Sequence, residues 1–247
     1  MKKKLNLWIH GISGKVGSHL RDQLQHHHHF ILSGGSDFKT QDSILEEGLG
    51  KSDAIIDFTS KEGNEKLFQT LEKLQYKNIT LVIGSTGISP NQRENWKSYA
   101  QQLESRILFA PNTSLGILMM LKSSLLASEL GRSAKFDIEI EESHHKHKKD
   151  SPSGTSLFLA ESLHSAIPES SIAYNRTSSR KDGEIGISAT RGGGIFGEHK
   201  IRFLGDFEEF TLTHRAYSRE LYAKGALSLT EWLLKQESGF YTLNDIS

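Results

Sequence analysis

The feature that most constrains the fold is a regular alternation of short apolar runs with amphipathic stretches through the first 110 residues. Residues 5–9, 30–32, 54–59, 79–83 and 106–110 read as strands. Between them lie helical patterns: one with Val16, Leu20 and Leu24 on a single face, then residues 62–74 and 91–102. Parallel neighbours need a crossover connection, so strands alternating with helices of this length predict a parallel, doubly wound sheet.

The pattern changes after residue 114. A helix over 115–130 leads to 136–141, whose strict apolar/acidic alternation reads as a half-exposed strand. Residues 184–191, 199–204 and 208–214 follow as strands with no helix between them, which predicts an antiparallel or mixed sheet open on one face. A last helix over 221–234 returns to the first domain. The fold class is therefore α/β: a Rossmann-like doubly wound domain over 1–113 and 220–247, with a C-terminal α+β domain over 114–219.

Thirty basic and thirty acidic side chains cancel, so no overall charge draws the chain to nucleic acid or an anionic membrane. The absence of cysteine removes disulfides, iron–sulfur clusters, thiolate zinc sites and thiol nucleophiles, and suits the cytoplasm. Lys2, Lys3 and Lys4 resemble the start of a signal peptide, but Asn6 and His10 cut the following apolar stretch short. The longest apolar run, 116–121, is too short to span a bilayer.

Gly11-Ile12-Ser13-Gly14-Lys15-Val16-Gly17 falls where the first strand becomes a helix. Free backbone N–H groups and the positive end of the helix dipole converge there, and glycine lets a pyrophosphate approach. Asp37 ends the next strand twenty residues past Gly17, where an acid accepts the ribose hydroxyls of an adenine dinucleotide. Phe38 follows where an NADP enzyme often carries Arg, and Lys39 comes one residue later. NADH is thus expected to bind at least as well as NADPH.

His144, His145, Lys146, His147, Lys148 and Lys149 crowd three imidazoles and three ammonium groups just before Ser151-Pro152-Ser153-Gly154-Thr155. Pro152 and Ser153 read as a helix start, which leaves the N–H groups of Gly154 and Thr155 to hold an anion backed by cations. Such a site suits a small substrate with one or two carboxylates. A zinc site has the right ligand type, but consecutive histidines rarely converge on one metal. A solvated basic loop is the plain alternative, and nucleic-acid binding lacks aromatic stacking partners. The other run, His26 to His29, reads as a surface turn.

Five segments in order resemble the dihydrodipicolinate reductase family of bacterial lysine and diaminopimelate synthesis. They are the turn from Gly11 to Gly17, Asp57-Phe58-Thr59, Gly84-Ser85-Thr86-Gly87, Ala110-Pro111-Asn112-Thr113-Ser114, and the stretch from Glu142 to Thr155. The resemblance implies reduction of 4-hydroxy-tetrahydrodipicolinate with NADH or NADPH, and a homotetramer formed through residues 114–219. It makes His144 the proton donor/acceptor and Lys148 the proton donor, with His145, Gly154 and Thr155 on the substrate carboxylates. Gly11, Ile12, Ser13, Gly14, Lys15, Val16, Asp37, Gly84, Ser85, Thr86, Ala110, Pro111, Asn112 and Thr113 would hold the cofactor, and the two domains would close over the substrate. Lys15-Val16 stands where the family usually has Arg-Met, Ser85 where Thr is usual, and Thr113 where Phe is common. The stretch from Asp37 to Asp57 is shorter than usual, which predicts a missing strand or helix on the adenine side. Two rivals remain: an aspartate dehydrogenase-like enzyme, and a non-catalytic dinucleotide sensor. A semialdehyde dehydrogenase falls for want of a cysteine nucleophile.

Overall fold

In the computed structural model, which describes residues 3–131 and 135–246, the chain forms two compact units, Met1–Ser114 with Arg219–Ser247, and Leu115–Ser218.

The first unit is built on strands β1 (Leu5–His10), β2 (Phe30–Ser36), β3 (Ala54–Asp57), β4 (Thr80–Ile83), β5 (Arg106–Phe109) and β11 (Gly239–Thr242). They pair in the order β11-β5-β4-β3-β1-β2, every pair parallel. Every residue of β3 and β4 is buried, as expected of short apolar runs covered on both faces. Helices α1 (Lys15–Leu24), α2 (Asp42–Leu49), α3 (Lys61–Leu74), α4 (Pro90–Gln102) and α7 (Glu220–Leu233) complete the unit. Their ends are encoded locally. Ser60 accepts from the Gly63 N–H to cap α3, and Ser89 with Gln92 forms a capping box ahead of α4, whose first turn holds Pro90.

Because β1 lies between β2 and β3, the strand order reverses at β1, and ligands of open α/β sheets bind outside the carboxyl ends of strands at such a point. Three indoles, Trp8 on β1, Trp96 on α4 and Trp232 on α7, all belong to this unit. Trp8 and Trp96 are buried in a core with Leu45, Leu49, Leu67 and Leu71.

The short stretch between Asp37 and Asp57 forms one helix, α2, and the β-α alternation continues through it. Strand β11 was not expected. Gly-Phe-Tyr-Thr is too short to show a periodicity, and it forms by adding to β5 at the sheet edge.

The second unit comprises α5 (Leu115–Leu130), β6 (Asp137–His144), α6 (Gly154–Ala166), β7 (Ser171–Tyr174), β8 (Glu184–Arg191), β9 (Gly197–Leu204) and β10 (Glu209–Ala216). Its sheet runs β10-β9-β6-β8-β7 and is mixed: β9 is antiparallel to β6 and β10, while β6, β8 and β7 are mutually parallel. The parallel pairing on the β8 side of β6 follows from α6, which serves as a crossover after β6, while β6 keeps its antiparallel partner β9 on the other side. Alternation sorts the two faces. Ile138, Ile140, Glu142 and His144 of β6 and His199, Ile201 and Phe203 of β9 are buried, whereas Arg202 pairs with Glu141 and Glu209 on the opposite face. Among the described residues no helix is long and apolar enough to cross a membrane.

Candidate active site

In the first unit, each segment expected at the cofactor follows the carboxyl end of a strand. Backbone hydrogen bonds carry the sheet ladder into these segments: Gly11 N–H to Ser36 O (2.6 Å), Phe58 N–H to His10 O (2.8 Å), Gly84 N–H to Asp57 O (2.8 Å) and Ala110 N–H to Ile83 O (2.9 Å). Gly11 has φ +94°, and a β-carbon there would strike Phe58 O at 2.7 Å. A β-carbon on Gly17 would lie 2.1 Å from Gly11 O, so α1 packs against the turn only because that position is bare. No side chain caps the start of α1, which leaves its leading N–H groups for an anion. Asp37 reaches back to the turn and accepts from Ser13 N–H at 3.2 Å. Bare turn, uncapped helix and acid together fit a dinucleotide.

Asp57 organises this end of the sheet. It is fully buried and accepts from Thr59 N–H (2.9 Å), Thr59 Oγ1 (2.5 Å), Asn64 Nδ2 (2.8 Å) and Ser85 Oγ (2.7 Å). Ser85 therefore turns its hydroxyl inward. Thr113 does the same, donating to Tyr222 O at 2.7 Å. Asn112 Oδ1 accepts from Ser114 N–H at 2.9 Å. Ser13 and Lys15 are exposed, Ile12, Val16 and Pro111 are partly buried, Ala110 is buried and Thr86 is exposed.

In the second unit, His144 is the last residue of β6, not part of a loop. Its Nδ1 is hydrogen-bonded to Glu142 Oε2. Glu142 is 2% exposed and accepts from Arg191 through both Nη1 (2.9 Å) and Nη2 (2.7 Å) and from Ser153 N–H (3.0 Å). Burial pushes its carboxyl up, but the hydrogen bonds from His144 and Arg191, the imidazole's charge and the Ser153 N–H together hold it down at about 2.

His199 on β9 pairs with Glu142 in register. Its ring stands edge-on to His144 with centroids 5.2 Å apart, and Nε2 meets Ser153 Oγ at 3.3 Å. Burial, then the charge of His144, brings His199 down to about 3, with Glu142 pulling the other way.

Ser153 caps α6 by accepting from Ser156 N–H. Lys148 Nζ lies 2.9 Å from Asp150 Oδ1, and the Gly154 N–H, expected to await a substrate anion, helps to hold the Asp150 carboxyl low. Desolvation raises the Asp150 carboxyl, but the hydrogen bond from Lys148 and its charge outweigh that and lower it. His145 is partly buried, with its ring 6.2 Å from His147, and Thr155 lies in the first turn of α6. Among the described residues no group of three or more His, Cys, Asp or Glu is placed to hold a metal ion. His27 and His29 of the other histidine run face Glu231 at 3.6 and 3.9 Å.

Glu142, Arg191 and His199 were missed in the sequence. A signal for Glu142 exists: the β6 alternation puts an acid in the row of Ile138 and Ile140, and an acid on an apolar face is seldom buried without a task. Arg191 and His199 lie 49 and 57 residues from Glu142, and only strand register brings them there.

Family models described as dihydrodipicolinate reductase, N-terminus and C-terminus, match residues 5–113 and 116–246. These matches, over a fold of this kind, define an oxidoreductase that uses NAD(P)H. The 4-hydroxy-tetrahydrodipicolinate reductase of Nitratiruptor sp. is 40% identical and that of Campylobacter lari 38%, each alignment covering 98% of both chains. The chain belongs to the dihydrodipicolinate reductase family. Its reaction is that of lysine and diaminopimelate biosynthesis, reduction of 4-hydroxy-tetrahydrodipicolinate, and neither rival reading is favoured. A dipicolinate-bound dihydrodipicolinate reductase from Paenisporosarcina sp. shares the fold at TM-score 0.76 and 22% identity, covering 99% of this chain and all of that one. An amine dehydrogenase from Mycobacterium smegmatis follows at TM-score 0.67 and 9% identity, covering 99% of this chain and 96% of that one.

Proposed function

We propose that His144 and Lys148 are the proton-handling groups of this reduction, and that the start of α6 holds the substrate carboxylates. The observation that carries the reading is the Asp150 carboxylate seated on Lys148 just before the start of α6, an anion already held by a cation assigned to this site. In this reading His145, Gly154 and Thr155 bind the dicarboxylate. Gly11, Ile12, Ser13, Gly14, Lys15, Val16, Asp37, Gly84, Ser85, Thr86, Ala110, Pro111, Asn112 and Thr113 hold the dinucleotide, Ser85 and Thr113 through backbone because their hydroxyls face inward.

When bound, the nicotinamide supplies a hydride. The net change also takes up one proton and releases the 4-hydroxyl as water. Hydride arrival leaves negative charge spread through a conjugated imino acid, and the Lys148 ammonium stabilises it while the His144 imidazole delivers the proton. A coupled assay tests the assignment: pyruvate, aspartate semialdehyde and the preceding synthase are supplied, and loss of NADH absorbance is followed. Lys148→Ala should lower kcat by about 10²–10⁴-fold while NADH affinity changes little. Equal losses in both would contradict the role.

Cofactor choice follows from Asp37. Its carboxylate suits two free ribose hydroxyls, and Lys66, which lines the cavity beside Phe38, is engaged by Asp42 Oδ1 (2.9 Å) and Thr40 O (2.6 Å). We expect NADH to bind at least as tightly as NADPH, and a strong NADPH preference in paired titrations refutes this. Oligomerisation through the second unit, to a homotetramer, is supported by exposed Met119, Leu126 and Leu130 on α5 and Phe210 on β10. Light scattering on the purified chain measures the state.

A further inference from the structure

The Glu142 carboxylate sits where three elements meet: β6 through His144, β8 through Arg191 and the start of α6 through Ser153. A carboxylate only accepts hydrogen bonds, so the nitrogen that faces it, Nδ1 of His144, carries the hydrogen. Nε2 is then the atom that gains and loses a proton. It faces Gly197 on β9, where a β-carbon would lie 3.0 Å away.

We propose that Glu142 is the positioning residue for His144, keeping the hydrogen on Nδ1 and reserving Nε2 for the substrate, with Arg191 setting how much of the Glu142 charge the imidazole feels. The proposal rests on the assignment of His144 above. In the forward step the Nε2–H bond breaks, the proton passes to the ring that has received hydride, and the electron pair stays on Nε2. Solvent returns the proton afterwards. Glu142 never transfers one, since its carboxyl is held at about 2. Its hydrogen bond to the Ser153 N–H joins the imidazole to the helix start that binds carboxylate, so one buried side chain sets both positions.

The titratable groups around His144 come from every strand beside it. They are Glu142 on β6, Arg191 on β8 and His199 on β9, with His214 of β10 and Lys148 acting electrostatically on His199. His199, held at about 3, is neutral at working pH. Glu142 and Arg191 are therefore the charges that set the affinity of His144 for its proton, and they act in opposite directions.

The test is kcat/KM against pH for the wild type, Glu142→Gln, Arg191→Gln and His144→Gln, with NADH dissociation constants measured alongside. In Glu142→Gln the limb reporting His144 should move about one unit to lower pH, with kcat down about 10–100-fold. In Arg191→Gln it should move to higher pH. NADH affinity should stay within about twofold in both, because neither side chain belongs to the dinucleotide unit. A merely structural role gives no shifts of opposite sign. If Glu142→Gln fails to fold by circular dichroism, Arg191→Gln decides alone: a limb unmoved or shifted to lower pH overturns the proposal. If His144→Gln keeps both turnover and the limb, the His144 assignment has failed, and the proposal falls with it.

Discussion

Gly197 matters for what it omits. It lies in extended backbone on β9, so alanine brings no strain, yet its methyl would sit 3.0 Å from His144 Nε2, tighter than ordinary van der Waals contact. Gly197→Ala should keep its thermal midpoint within a few degrees and lose about tenfold or more in kcat, checked by calorimetry beside the NADH assay. Asp57 is the opposite case, a buried acid whose removal leaves donors on Thr59, Asn64 and Ser85 unmatched. Each such donor costs about 1–3 kcal/mol, so Asp57→Ala should unfold at clearly lower denaturant and weaken NADH binding through the loop at Ser85. Neither role was legible in the sequence. Gly197 belongs to a glycine-rich stretch that reads as a loop, and Asp57 reads as the end of a strand until its partners, up to 28 residues away, are placed.

The meeting of β1 with α1 was readable because every part of the device is contiguous: apolar strand, bare turn, helix, and an acid at a fixed distance. It also predicts fragility. Gly17→Ala would force α1 from the Gly11 carbonyl, so NADH affinity should drop well before packing of the second unit changes, seen as a raised Kd in fluorescence titration. The pairing of β6 with β9 was not readable, because register joins Glu142 to His199 across residues that carry no shared pattern. That pairing makes stability fall in acid. His199 ordinarily titrates at 6.5 but at about 3 when folded, so between these values the unfolded chain takes a proton the folded chain refuses. Stability is then complete above about 6.5 and declines as pH falls, by up to about 1.4 kcal/mol per pH unit. Glu142 adds a loss of the same sign from its ordinary 4.5 down to about 2. Urea midpoints measured from pH 7 to pH 3 should decrease throughout, and His199→Gln should flatten the part above pH 4.5.

Across both units, most of the architecture followed from local patterning. Helix caps, apolar parallel strands and the change of rhythm after residue 114 are short-range signals. The mixed order of the second sheet and the added strand β11 depend on which edge is left open, which a single strand does not encode. The confinement of Trp8, Trp96 and Trp232 to the first unit has a spectroscopic consequence. Light at the red edge of the aromatic band excites indoles and little else, so its emission is a private channel from the coenzyme-binding half, and the half that carries His144 is silent in it. Melting curves recorded through that channel and through amide absorption are therefore two different experiments on one molecule, and any gap between their midpoints dates the loss of one half against the loss of the whole.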